Sequence, residues 1–131
     1  MQNLPQPIID SAYYDPLLNL AYDAMDKIPD VASRLASEVE RATVMPHEEV
    51  PPQVVNIGSE VTYRDNTTGR EETVILVFPK DADIAQRRIS VLTPIGAALI
   101  GLKEGDTLNW TTRTGDERLL TVIKVTPPVS A

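Results

Sequence analysis

The chain has 131 residues, 42% of them apolar and 24% charged, which suits one ordinary domain or a small domain with a helical appendage and excludes disordered and collagen-like classes. It has no cysteine, so disulfides, thiolate metal sites and a cysteine nucleophile are excluded. A formal net charge of −7 opposes direct binding to nucleic-acid phosphates, which depends on Lys and Arg displacing counterions, and favours a basic protein surface as partner.

The charge is uneven. Residues 1–45 carry seven acids against three bases, leaving −4, whereas the remaining 86 residues carry twelve against nine. No eighteen apolar residues follow one another and no basic stretch precedes an apolar run, so a soluble cytoplasmic protein without a membrane partner is expected.

In chain order, Asp15-Pro16 reads as an N-cap followed by proline at the first helical position, with a helix to about Asp26 and a looser turn from Ser11. Leu17, Leu20, Ala21 and Ala24 line one face of it. Pro29-Asp30 repeats the punctuation, with Asp30 as the expected cap. Val31, Leu35, Val39 and Ala42 give a second stripe, so the two helices should pair as a short antiparallel hairpin of the coiled-coil kind. At 1.5 Å per residue each helix spans only roughly 16–20 Å.

Residues 46–52 are rich in proline and glutamate and read as a linker. His47, Glu48 and Glu49 lie there; three consecutive residues on a proline-rich segment cannot converge on one ion, so no metal site is expected. From Gln53 the pattern changes to short β-branched runs: 54–57, 60–64, 72–78, 88–92, 107–112 and 119–125. Asn66-Thr67-Thr68-Gly69 and Thr114-Gly115-Asp116 supply turn residues, which makes most of the sheet antiparallel. One helix interrupts the strands, with Thr93 as cap, Pro94 at the first position and Gly101 at its end. The organisation expected is α+β: a hairpin over 1–45, a linker over 46–52, and an antiparallel sheet with one short helix over 53–131.

Chemistry is sparse. The single histidine has no serine-containing G-x-S-x-G elbow to serve, and no phosphate-binding glycine loop is present. No catalytic residue, metal or cofactor is expected. Trp110 and the tyrosines Tyr13, Tyr14, Tyr22 and Tyr63 could form a partner-facing patch, although a strand tryptophan more often belongs to a core.

The run from Ile89 to Asp106, ISVLTPIGAALIGLKEGD, resembles the C-terminal signature of the GreA/GreB transcript elongation factor superfamily. Gly58, Ser59, Val61, Asp65, Thr68, Gly69, Thr114 and Gly115 fit the same pattern. Within that superfamily Leu35, Glu38, Arg41, Ala42, Pro46, Glu49, Pro51, Val54 and Val55 resemble a short-armed branch described as regulators of nucleoside diphosphate kinase. The resemblance implies an FKBP-like domain that docks on bacterial RNA polymerase near its secondary channel, with the helical hairpin directed toward it. It also implies a polymerase-binding loop at Leu92, Thr93, Pro94 and Ile95, with Leu92 standing where some relatives have an acidic residue.

In cleavage-competent relatives a long coiled coil carries paired acids at its tip that help to hold a second Mg²⁺ in the polymerase. Here the arm is short and the tip, with Asp26, Lys27 and Asp30, lacks the D-x-x-E-N-A pattern. The reading is therefore a non-enzymatic, monomeric polymerase-binding factor that regulates elongation without cleavage and contacts no nucleic acid directly. Its alternatives are a cleavage stimulator, a direct regulator of the kinase, and an FKBP-like prolyl isomerase. Against the last, residues 53–131 offer only Tyr63, Phe78 and Trp110 to line a pocket.

Overall fold

The structure, a computed structural model, describes residues 6–111 and 114–128. The chain opens with β1 (Ile8–Asp10) and α1 (Ser11–Asp23), turns through 24–28, and continues into α2 (Pro29–Glu40) and β2 (Thr43–Met45). β1 and β2 pair in parallel, Ile8 opposite Thr43 and Asp10 opposite Met45. This two-stranded clamp, absent from the sequence reading, ties together the start of the first helix and the end of the second.

Two capping expectations are corrected. The N-cap of α1 is Asp10, whose Oδ1 accepts the Ala12 N–H at 2.9 Å, and Pro16 lies inside the helix. There the proline ring leaves the Ala12 carbonyl without its intrahelical donor. The earlier start prevails because Asp10, 2% exposed, also receives His47 on its other carboxylate oxygen. α1 ends at Asp23 rather than Asp26. α2 begins with Pro29, so Asp30 is its second residue, and Ile28 occupies the cap position without a side-chain bond.

The second sheet has the order β5-β4-β3-β7-β6, built from β3 (Glu60–Asp65), β4 (Glu71–Val77), β5 (Arg88–Ser90), β6 (Thr107–Thr111) and β7 (Glu117–Thr126). All pairings are antiparallel except β4 with β5, and a register shift between Thr62 and Tyr63 interrupts the β3–β7 ladder. The β3–β4 turn is fixed by Asp65, whose Oδ1 accepts the Thr67 and Thr68 N–H groups and whose Oδ2 receives Arg118 at 2.8 Å. Residues 54–57, expected as a strand, form only an isolated bridge from Val54 to Lys103. Val55 instead exchanges bonds with the far end of the third helix: its N–H reaches the Leu102 carbonyl, and its carbonyl takes the Gly101 N–H. Thr112, expected at the end of β6, lies outside the described residues.

α3 (Pro94–Leu99) is where the halves meet. Gly96, Ala97, Ala98 and Leu99 are all buried, and the short side chains allow close approach by both α2 and β6. Gly101 follows with φ +82°, and a Cβ there would stand 2.6 Å from the Pro7 side chain. Its carbonyl accepts the Ile8 N–H at 3.0 Å, stitching β1 to the end of α3.

Leu17, Ala21, Leu35, Ala36 and Val39 from the helical pair enter the same core cluster as Val61, Leu76, Leu99, Leu102, Leu108, Leu120 and Val122. Residues on both sides of the expected linker, 46–52, thus share one core. Arg34 of α2 reinforces the contact by donating to the Asn109 carbonyl of β6 at 2.9 Å. An edge strand that offers unpaired backbone groups needs such a cover. Burial lowers the Arg34 pKa, the cost of placing a cation there. Glu38, buried on the same helix, is held by Arg41 at 2.9 Å.

Leu35 has no exposed surface. Leu35→Ala should therefore destabilise the whole chain by about 2–5 kcal/mol. Urea unfolding followed by far-ultraviolet circular dichroism and by Trp110 fluorescence should show one coincident transition in both proteins, with the variant's midpoint lowered.

Candidate functional site

The loop leading into α3 is built from its own side chains. Ser90 Oγ accepts the Leu92 N–H at 2.9 Å, while Thr93 Oγ1 donates to the Ser90 carbonyl at 2.7 Å and accepts the Gly96 N–H at 3.1 Å. Thr93 is the N-cap that the sequence indicated. Gly96 is forced by space, since a Cβ there would lie 2.2 Å from the Ser90 carbonyl oxygen. The result is a rigid shoulder in which Leu92, Thr93, Pro94 and Ile95 are each half-buried. Leu92 and Ile95 pack against the core, so this helix start is less open than an exposed cap and presents only part of each side chain.

The hairpin tip is open. Asp26, Lys27 and Asp30 are all exposed, as are Ile28 and Pro29 between them. Ser33 Oγ lies 3.3 Å from Met25 Sδ and closes the turn onto α2. Among the described residues no three His, Cys, Asp or Glu side chains come together in a way that could hold a metal ion. The shoulder and the tip belong to different elements and are not brought into one site.

His47 sits on a single 3-10 turn with Glu48 and Glu49, and its Nδ1 lies 2.5 Å from Asp10 Oδ2. The bond to Asp10, and next the charge of Asp10, raise the imidazole pKa above its ordinary value. Asp10, Tyr13 and His47 line a groove of about 270 Å³ with Pro51, Pro52, Asn56 and Pro128. Ser59 lines it too but is fully buried, and its Oγ accepts the Asn56 N–H. Sequence reasoning missed this pairing because it joins positions 37 residues apart with no motif between them.

The aromatic residues do not form one patch. Tyr13 packs against Phe78 with ring centroids 6.1 Å apart, Tyr22 is exposed beside Glu40, and Tyr63 is buried. Burial first, and Glu72 next, push the Tyr63 phenol up to about 12. Trp110 is half-buried against the core, its Nε1 buried without an acceptor among the described residues. Tyr63 and Trp110 share a cleft of about 230 Å³ with the Asp65–Arg118 pair, and Phe78 lies elsewhere.

Against known proteins, residues 50–127 match the family profile described as transcription elongation factor, GreA/GreB, C-term. The chain belongs to the GreA/GreB family. It is 36% identical over 80 residues to the regulator of nucleoside diphosphate kinase of Escherichia coli strain K12, a match covering 61% of this chain and 59% of that protein. The chain therefore spans about three fifths of the length of that curated relative. It is 32% identical over 111 residues to the elongation factor GreA of Geobacillus kaustophilus, covering 82% of this chain and 70% of that one.

Among solved structures, a GreA/GreB elongation factor from Nitrosomonas europaea superposes with a TM-score of 0.73 at 34% identity, covering 93% of this chain and 98% of that one. Gfh1 of Thermus aquaticus shares the fold, with a TM-score of 0.51 at 21% identity over 92% of this chain and 98% of that one. No helix among the described residues is long and apolar enough to cross a membrane.

Because the folded-state pKa of His47 is raised, its contribution to stability is complete below the unfolded value of about 6.5 and is lost as pH rises through the folded value. The difference in melting temperature between the wild-type chain and His47→Gln, measured from pH 5.5 to 8.5, should shrink as pH increases. Gly96→Ala should be destabilised by about 1–3 kcal/mol through overpacking, measured by denaturant unfolding.

Proposed function

We propose that the chain is an accessory factor that binds bacterial RNA polymerase near its secondary channel and regulates elongation without stimulating transcript cleavage. Family membership supplies the partner class, as the curated relative GreA is named a transcription elongation factor. The docked helical pair carries the rest. Ala32, Leu35, Ala36, Glu38 and Val39 are buried along α2, so the pair is docked through α2, and the turn around Asp26, Lys27 and Asp30 is exposed. Carboxylates must come within about 2–2.5 Å of a divalent ion to ligate it. A helix of 13 residues is only about 20 Å long, and this one is held back by its partner. Such a tip brings negative charge to an entrance and does not supply a ligand to a remote active centre.

The half-buried shoulder Leu92–Ile95 serves as the docking loop, its outer surface apolar where Leu92 and Pro94 emerge. The factor works as a cytoplasmic monomer without cofactor or direct nucleic-acid contact. Its likeness to a regulator of nucleoside diphosphate kinase extends the reading to an effect on that kinase.

Purified chain should be retained by immobilised core RNA polymerase at low salt and should leave RNA 3′ ends unshortened in backtracked complexes. Absence of retention overturns the binding, and shortened 3′ ends overturn the claim of no cleavage. Leu92→Asp should weaken retention at least tenfold. Because Leu92 is half-buried, its melting curve must be shown to remain cooperative.

A further inference from the structure

The segment between β4 and β5 carries the most exposed large apolar side chain described. Ile84 is 88% exposed, against 51% for the next, Tyr22. A single apolar residue on a surface is ordinary. What separates Ile84 is that the loop around it is stiffly built.

Asp83 and Arg88 exchange backbone bonds at 2.8 and 2.9 Å, and the Asp83 side chain accepts the Ala85 N–H at 3.1 Å. The Gln86 and Arg87 N–H groups close onto the carbonyls of Asp83 and Ile84. Arg87 takes φ +60°, the left-handed region that a non-glycine residue rarely adopts, and its carbonyl receives the Ile75 N–H of β4. Strain of this kind persists where the surroundings over-determine it. A flexible loop could fold an isoleucine onto the body; this one holds it out in solvent, ordered before any partner arrives.

The charge around the knob runs against that of the molecule. Residues 79–88 hold Lys80, Arg87 and Arg88 against Asp81 and Asp83, a local +1 in a chain of −7. Lys80, Arg87 and Arg88 are exposed, and none is ion-paired with a described residue, whereas Arg41, Arg64 and Arg118 each are. β5 is an edge strand of only three residues, so the same border of the sheet carries this loop at one end and the Leu92–Ile95 shoulder at the other.

The geometry points to the loop 79–88 as a second docking contact, with Ile84 filling an apolar socket on an acidic face of RNA polymerase and Lys80, Arg87 and Arg88 set against its rim. This rests on the polymerase reading above and adds to it the sign of the surface that the sheet border meets. A few buried anchor residues dominate binding energy in protein interfaces, and rim charges set the salt dependence of association.

Affinity for bacterial core RNA polymerase should be measured by fluorescence titration at low and moderate salt for the wild-type chain, Ile84→Ser and Arg88→Gln. Both side chains are exposed, so each variant should melt with the wild type. Ile84→Ser should bind at least tenfold more weakly, and Arg88→Gln should lose part of the salt dependence. A wild-type chain that binds while Ile84→Ser binds equally well overturns this contact and leaves the polymerase reading standing. A wild-type chain that does not bind overturns both.

Discussion

The burial of the α2 face against α3 is the constraint on which the rest depends. Leu35, Ala36 and Val39 come from one part of the sequence and Ala97, Ala98 and Leu99 from another, and all are buried in one cluster. Small side chains on α3 make the approach possible, and β6 packs against α3 as well. A hairpin of two such short helices is marginal in isolation. Here it gains its stability from the sheet domain, and it gives up the freedom to project.

That trade decides what the molecule can do. The β1–β2 clamp and the Asp10–His47 pair hold the base of the hairpin, Arg34 holds its flank to the sheet edge, and the turn carrying Asp26, Lys27 and Asp30 is exposed with the outer face of α1. Within the GreA/GreB family this chain is thereby a body with two separate exposed features, the turn carrying Asp26 and Asp30 and a stiff sheet border. In the proposed complex the acidic turn and the positively charged loop 79–88 would meet surfaces of opposite sign, a pattern that orients a complex more than it strengthens it.

Much of the sheet domain was legible because its local chemistry is unambiguous. Thr93-Pro94 caps α3, Gly69 and Gly115 take the positive φ their turns require, and β3, β4 and β7 follow their β-branched runs closely. The helical stripes were legible in part: Leu17, Ala21, Leu35 and Val39 are buried, while Leu20, Ala24, Val31 and Ala42 are half-buried. The first cap was misread because Asp15-Pro16 satisfies the local rule, whereas the real cap, Asp10, is fixed by β1 pairing and by a histidine 37 residues away. Three-residue strands such as β1 and β2 carry no period to detect. The helix start at Thr93-Pro94 was legible, but the half-buried state of Leu92–Ile95 depends on the Gly96–Ser90 approach and on core packing. Arg34, which by type belongs on a surface, gave no sign that it would seal an edge strand.

Native-state hydrogen exchange tests the shared core most directly. The amides of Leu35, Ala36 and Val39 in α2 should exchange only through the same global opening that releases those of Val61 and Val122 in the central strands, with equal free energies and equal denaturant dependence. Exchange of the α2 amides through a separate opening of lower energy, with the sheet still protected, would show a detachable hairpin and contradict the proposed geometry.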